Sequence, residues 1–168
     1  MIIIVMGVAG SGKSSVGGMI AERLGWPFLE GDAFHTTANK AKMEGGTPLT
    51  DEDRWPWLDA MAAHLGKIDA AGANAVLACS ALRKTYRDRL RAGADNMQFV
   101  HLAGTKALLA TRIGGRTGHY MPPALLDSQL ATLEPPGPDE GAITLDIGKP
   151  VDTLADAVLA ALELNSRQ

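Results

Sequence analysis

Short apolar runs alternate along this chain with longer stretches of helical spacing. Ile2-Ile3-Ile4-Val5-Met6 is apolar at every position, the pattern of a strand covered on both faces. A helix follows from Lys13 to Leu24 and Gly25 marks its end. Pro27–Glu30, Ala75–Cys79, Met97–Leu102 and Ala142–Ile147 read as the second to fifth strands. Helices are predicted near 57–70, 84–92, 105–113 and 123–133. A last one runs from about Asp152, with Leu154, Val158, Leu159 and Leu162 on one face. Asp152 is its natural N-cap, with Pro150 just outside. Strands alternating with helices predict an α/β fold, a five-stranded parallel sheet in one three-layer α/β/α domain spanning 1–168.

Two segments break the alternation. Residues 32–56 are polar and contain Gly45, Gly46, Pro48 and Pro56. Residues 113–123 combine Gly114, Gly115 and Gly118 with Arg116, His119, Tyr120 and two prolines. The first suits an acceptor-binding insertion and the second a lid over phosphates, although a solvated loop fits the same composition.

Composition narrows the field. Charged residues are 21% of the 168 and hydrophobic residues 46%, an ordinary globular balance. A net charge of -3 gives no global attraction for nucleic acid or an acidic membrane, so an anionic ligand must meet a local positive cluster. The single cysteine, Cys79, excludes an intrachain disulfide and suits a reducing, cytoplasmic setting. No stretch approaches the roughly 20 apolar residues of a membrane helix.

Gly7-Val8-Ala9-Gly10-Ser11-Gly12-Lys13-Ser14 matches G-x-x-x-x-G-K-S/T, between an apolar strand and an amphipathic helix. The glycines let backbone N–H groups turn inward around a phosphate at a helix N-terminus. Lys13 then reaches the β- and γ-phosphates, and Ser14 offers a hydroxyl to Mg²⁺. These features predict a nucleotide site, which alone does not separate a kinase from a GTPase or a motor ATPase. A GTPase would add D-x-x-G and N-K-x-D, which are missing, and a motor ATPase a third strand ending in aspartate. Here that strand ends Cys79-Ser80. A small-molecule kinase fits better.

Phe28-Leu29-Glu30-Gly31-Asp32 sets Asp32 at the carboxyl end of the second strand, where ligands of open α/β sheets sit. A carboxylate there can orient an attacking hydroxyl, and Glu30 could hold water on the metal; Asp32 could also simply cap the next turn.

At these residues the chain resembles the gluconokinase family. The resemblance is carried by Gly31-Asp32-x-x-His35, Asn39 with Lys42-Met43, Gly46-x-Pro48-Leu49 and Asp51-x-Asp53-Arg54-x-Pro56-Trp57-Leu58. It continues in Cys79-Ser80-Ala81-Leu82-Arg83-x-x-Tyr86-Arg87, Gly118-His119-Tyr120-Met121 and Ser128-Gln129 with Leu133-Glu134. It spans residues 3 to about 150. It implies a nucleoside-monophosphate-kinase-like fold, a homodimer, and ATP-dependent phosphorylation of D-gluconate to 6-phospho-D-gluconate. It also implies acceptor contacts from Asp32, His35, Lys42, Arg54, Arg83, Tyr86, Arg87, His119 and Gln129. Nucleotide contacts follow from Gly7, Ala9, Gly10, Ser11, Gly12, Lys13, Ser14, Ser15 and Pro150. Similarity to the wider superfamily adds Arg112 against adenine and Arg116 on the transferring phosphate, Arg116 serving catalysis with Lys13 and Asp32. For Arg112, a basic residue favouring a helix C-terminus is an equal alternative. Arg83 stands where many relatives carry Lys, and Tyr120 where Phe is common.

Gluconate offers one carboxylate and five hydroxyls, so arginine beside several hydrogen-bonding groups is chemically apt. Shikimate kinases share the cradle, but usually show a glycine triplet in place of Cys79-Ser80-Ala81-Leu82. A nucleotide-binding regulator would not need Asp32. The basic run from Arg83 to Arg91 is read as Arg83 and Arg87 toward substrate and Arg89 and Arg91 toward solvent, not as a nucleic-acid surface. His64 and His101 are read as structural or surface groups, the three tryptophans as packing, and Cys79 as a buried residue that is not a nucleophile.

Overall fold

The computed structural model describes residues 1–115 and 123–164. Five strands, β1 (Ile2–Met6), β2 (Phe28–Glu30), β3 (Ala75–Ala78), β4 (Met97–Ala103) and β5 (Ile143–Asp146), form one sheet in the order β2-β3-β1-β4-β5. Every pairing is parallel, with Ile2 beside both Ala75 and Met97. β1 lies at the centre, which explains its unbroken apolar run: all five residues are 0% exposed.

The helices are α1 (Lys13–Leu24), α2 (Thr37–Glu44), α3 (Asp51–Ala70), α4 (Lys84–Arg91), α5 (Lys106–Gly114), α6 (Pro123–Thr132) and α7 (Val151–Ala161). The chain passes from β1 through α1 outward to β2, then returns through α3 to β3. With right-handed crossovers, that reversal puts α1 and α3 on opposite faces of the sheet. α7 packs beside α1, and α4 beside α3. The α3–α4 approach is close because both sides are small: a Cβ on Gly93 would stand 2.4 Å from the Ala62 carbonyl oxygen.

Three boundaries differ from the sequence reading. The segment 32–56 is mostly helical: a 3₁₀ turn at Gly31–Phe34, α2, and the first turns of α3. α3 begins at Asp51 because Thr50 and Asp53 form a reciprocal cap. Asp53 N–H donates to Thr50 Oγ1 at 3.2 Å, and Thr50 N–H to Asp53 Oδ2 at 2.9 Å. Pro56 therefore sits inside the helix, at the cost of one backbone bond. α7 begins at Val151, so Pro150 takes the N-cap position and Asp152 the first turn. There Asp152 accepts from Arg23 at 3.2 Å, tying α7 to α1. Among the described residues no helix is long and apolar enough to cross a membrane.

Candidate active site

The phosphate cradle grows out of the end of β1. Gly7 (φ 151°) leaves the strand in a conformation where a Cβ would meet Ser11 Oγ at 2.6 Å and the Leu102 carbonyl oxygen at 2.9 Å. Gly10 and Gly12 also have positive φ, 81° and 89°. Ser11 N–H donates to the Val8 carbonyl at 3.2 Å and Lys13 Nζ to the same oxygen at 3.0 Å, curling the loop over the start of α1. Ser11 Oγ is buried and has no hydrogen-bond partner among the described residues. The first N–H groups of α1 have no carbonyl one turn back to bond. These features form a cradle for phosphate.

Two bonds join this loop to its surroundings. Gly7 N–H donates to the Ser80 carbonyl at 3.3 Å, linking it to the turn after β3. Ala9 N–H donates to Gln129 Oε1 at 2.7 Å, linking it to α6. Phosphate loop, β3 turn and α6 thus wall one cavity of about 260 Å³.

The cavity runs from Ala9, Gly10, Gly12, Lys13 and Ser14 to Glu30, Asp32, His35 and Arg54, with Ser128 and Gln129 opposite. Of the sequence-chosen acceptor residues it therefore gathers Asp32, His35, Arg54 and Gln129. Thr47, Pro48, Leu49 and Trp57 also line it. Trp57 was read as packing only. Its indole N–H donates to the Gly31 carbonyl at 2.8 Å, and its ring stacks on His35 with centroids 4.1 Å apart. Burial lowers the His35 pKa, only partly countered by Asp32, so the imidazole is neutral near pH 7.

Other chosen residues stand behind the cavity. Lys42 binds both oxygens of Asp53, at 2.8 and 2.9 Å, and this hydrogen bond is the main reason the Asp53 carboxyl is held at about 2. Arg83 donates to Asp51 at 3.4 Å, and the Tyr86 hydroxyl donates to the same carboxylate. Gly7, Ser11, Ser15, Arg112 and Pro150 are not among the lining residues. Arg112 donates to the Ile147 carbonyl beside the cradle, its Nη1 3.9 Å from a Cβ placed on Gly12. Arg116 and His119 lie outside the described residues.

Arg87 requires correction. The sequence reading turned it toward substrate, yet its side chain is 0% exposed and its donors are taken. Nε and Nη2 meet Glu140 at 2.6 and 2.8 Å, and Nη1 meets the Ala81 and Leu82 carbonyls at 2.9 and 3.2 Å. It is a brace behind the β3 turn. Arg91 is only partly solvated: it lies over Phe99, 4.5 Å from the ring centroid, and reaches Glu140 at 3.3 Å. Arg89, read as solvated, forms a surface pair with Asp59 at 2.6 Å. Burial pushes the Cys79 thiol up to about 12, consistent with a residue that is not a nucleophile.

Comparison with known proteins agrees with this geometry. A family model described as an AAA domain matches residues 2–136. A gluconokinase of Gluconobacter oxydans (strain 621H) is 47% identical over 157 residues, 94% of this chain and 88% of the relative. The crystal structure of a gluconokinase from Sinorhizobium meliloti 1021 is 48% identical, with a TM-score of 0.85 over 96% of this chain and 90% of that one. An unliganded sugar kinase from Janibacter sp. HTCC2649 is 45% identical, with a TM-score of 0.93 over 97% and 94%. The sequence of cradle, acidic β2 turn and Arg54 wall is therefore that of a kinase, and the chain belongs to the gluconokinase family.

Proposed function

We propose that this chain transfers the γ-phosphoryl group of MgATP to the 6-hydroxyl of D-gluconate, giving ADP and 6-phospho-D-gluconate for sugar-acid catabolism. One observation carries the reading: a single cavity joins the phosphate cradle to the acidic pair Glu30 and Asp32 and to Arg54. Among the described residues lining it, Arg54 is the only arginine and lies away from the cradle in sequence, which suits the carboxylate end of a linear sugar acid.

Positioning and charge neutralisation do most of the work in phosphoryl transfer. The backbone N–H groups of Gly10, Gly12, Lys13 and Ser14, with the Lys13 ammonium, hold the phosphates. Mg²⁺, when bound, would offset their charge, and the Ser14 hydroxyl would be its protein ligand. Asp32 accepts a hydrogen bond from the 6-hydroxyl and aims its oxygen at the γ-phosphorus. The new O–P bond forms as the bond to the bridging oxygen breaks, ADP keeps that electron pair, and the hydroxyl proton leaves by way of Asp32 to solvent. Arg116 balances charge on the transferring group, with Arg112 against the base. His35, as a neutral imidazole, hydrogen-bonds a substrate hydroxyl. Residues 32–56 act as the acceptor-binding segment of one kinase domain in a cytoplasmic homodimer.

The test is ADP release by purified protein with MgATP and D-gluconate, shikimate, glucose or no acceptor. Turnover with gluconate alone is expected, and turnover with shikimate alone would overturn the reading. Asp32→Asn should lower kcat by about two orders of magnitude with the ATP KM unchanged, given what general acid–base and orienting groups contribute. Near-wild-type kcat would remove Asp32 from the reaction.

A further inference from the structure

Asp51 is part of the sequence motif but neither lines the cavity nor has a role assigned above. It sits in the first turn of α3 at the end of a chain of hydrogen bonds that reaches the cavity wall. Its Oδ1 accepts the Tyr86 hydroxyl proton. The Tyr86 oxygen in turn accepts from Arg54 Nη1 at 3.1 Å. Asp51 Oδ1 also lies 3.9 Å from Arg54 Nη1, and Oδ2 takes Arg83 at 3.4 Å.

Proton direction in this chain is forced. A guanidinium can only donate and an ionised carboxylate can only accept, so the phenol must do both. Asp51 draws the single hydroxyl proton to itself, which leaves the phenol oxygen's lone pairs facing Arg54 and strengthens it as an acceptor. Tyr86 is only 1% exposed and the Arg54 side chain 14%. Arg54 also packs over the Tyr86 ring, 5.4 Å from its centroid, with Trp55 edge-on to that ring on a 5.7 Å centroid separation. One edge of the guanidinium is thus spent on the relay, and its remaining donors are left for the cavity.

We propose that Asp51, acting through Tyr86, is a positioning residue that fixes the Arg54 guanidinium for a substrate carboxylate and so sets the preference for acid over neutral polyols. The proposal rests on the acceptor reading above. It assigns Asp51 and Tyr86 to acceptor affinity and selectivity, not to the phosphoryl-transfer step. Burial, then the bond to Asp51, raises the Tyr86 pKa, so the phenol stays protonated and the relay intact through neutral and moderately alkaline pH.

The test measures Asp51→Ala, Tyr86→Phe and the double variant in steady state with D-gluconate and with D-glucitol, the neutral six-carbon polyol. Each single change should raise the gluconate KM about tenfold, the scale of one misaligned charged hydrogen bond. The kcat should stay within about threefold and the ATP KM unchanged, and the gluconate-over-glucitol preference should fall about tenfold. The double variant should be no worse than the worse single one, because both cut the same chain. Additive losses, or a fall in kcat at constant KM, would overturn the relay. If the wild type phosphorylates glucitol as well as gluconate, the selectivity claim falls even though the kinase reading survives. A second arm needs no substrate. Tyr86 and Tyr120 are the two tyrosines, so Tyr120→Phe leaves Tyr86 as the sole phenol for ultraviolet titration. Adding Asp51→Ala should bring its ionisation down to lower pH. An unchanged titration would refute the Asp51–Tyr86 link even if gluconate proved not to be the acceptor.

Discussion

Glu140→Gln removes one charge and almost no volume, and the structure fixes what that should do. The Glu140 side chain is 3% exposed and its partner Arg87 0%. Besides Arg87, its carboxylate accepts from Gly137 N–H at 3.2 Å and from Arg91 at 3.3 Å. Arg87 in turn pins the carbonyls of Ala81 and Leu82. Ala81 has φ 43°, a left-handed conformation unfavourable for a residue with a Cβ and kept only because its surroundings enforce it. In the variant Arg87 keeps its charge in the interior while its counter-charge is gone. Loss of one partner from a buried pair costs about 3 kcal/mol, and the amide oxygen that remains keeps the cost near that lower end.

Proton linkage gives an independent figure. The Arg87 hydrogen bond, above all, holds the Glu140 carboxyl at about 2, against 4.5 ordinarily. A depressed carboxyl pKa adds stability that is complete above the unfolded value and drains away as pH falls toward the folded one. The drop is worth roughly 3 kcal/mol at pH 7 and roughly 2 kcal/mol at pH 3.5. Urea unfolding of both proteins at pH 7 should therefore show the variant's midpoint lower by about 1.5 M for a slope near 2 kcal/mol/M. Thermal melting should show a Tm lower by about 6–12 °C. The gap should narrow by roughly a third at pH 3.5. A difference below about 1 kcal/mol at pH 7, or one that does not change with pH, would refute the brace.

Gly7→Ala should abolish nucleotide binding measured by calorimetry, because its Cβ would strike a backbone carbonyl and Ser11 in a conformation that only glycine adopts readily. Gly93→Ala should cost about 1–3 kcal/mol in urea unfolding with kinetic constants unchanged, since it forces α3 and the end of α4 apart far from the cavity. Lys42→Ala should leave the gluconate KM within about twofold, because Lys42 is not among the cavity-lining residues and is engaged by both oxygens of Asp53. Burial lowers the pKa values of His35 and His101, so both favour folding fully only above about 6.5, and unfolding titrations should show stability falling below that pH. His101→Gln should weaken that slope.

Most of the fold could be read from the sequence because its determinants are local. The β1 run, the glycine turn and the Gly25 stop each fix a piece of backbone by themselves. The start of α3 was also legible in Thr50-x-x-Asp53, a capping pattern, although the sequence reading starts this helix only near residue 57, after Pro56. A proline costs one bond in a helix whose N-terminal charges and apolar face still favour it. What the sequence hid was pairing at long range. Arg87 and Glu140 are 53 residues apart, and Tyr86 and Asp51 are 35 apart. Helical spacing ranks Arg83, Arg87 and Arg91 on one face but cannot show which carboxylate waits there.

That hidden pairing decides where an anion can bind. Each of the five basic side chains between 83 and 91 meets a carboxylate: Asp51, Asp88, Glu140, Asp59 or, for Arg91, Glu140 again with Asp88. A cluster that reads as strongly positive is locally compensated and largely structural. Among the described residues lining the cavity, the cations are Lys13 at the phosphate end and Arg54 on the acceptor wall, with Glu30 and Asp32 among the other lining residues. In a chain of net charge -3, the proposed function uses that separation to receive a triphosphate at one end of the cavity and a carboxylate at the other, with Asp32 between as the hydroxyl-orienting acid. Compensation of Arg83 and Arg87 matters to that reading, since either one at the wall without its carboxylate would compete for the same anions.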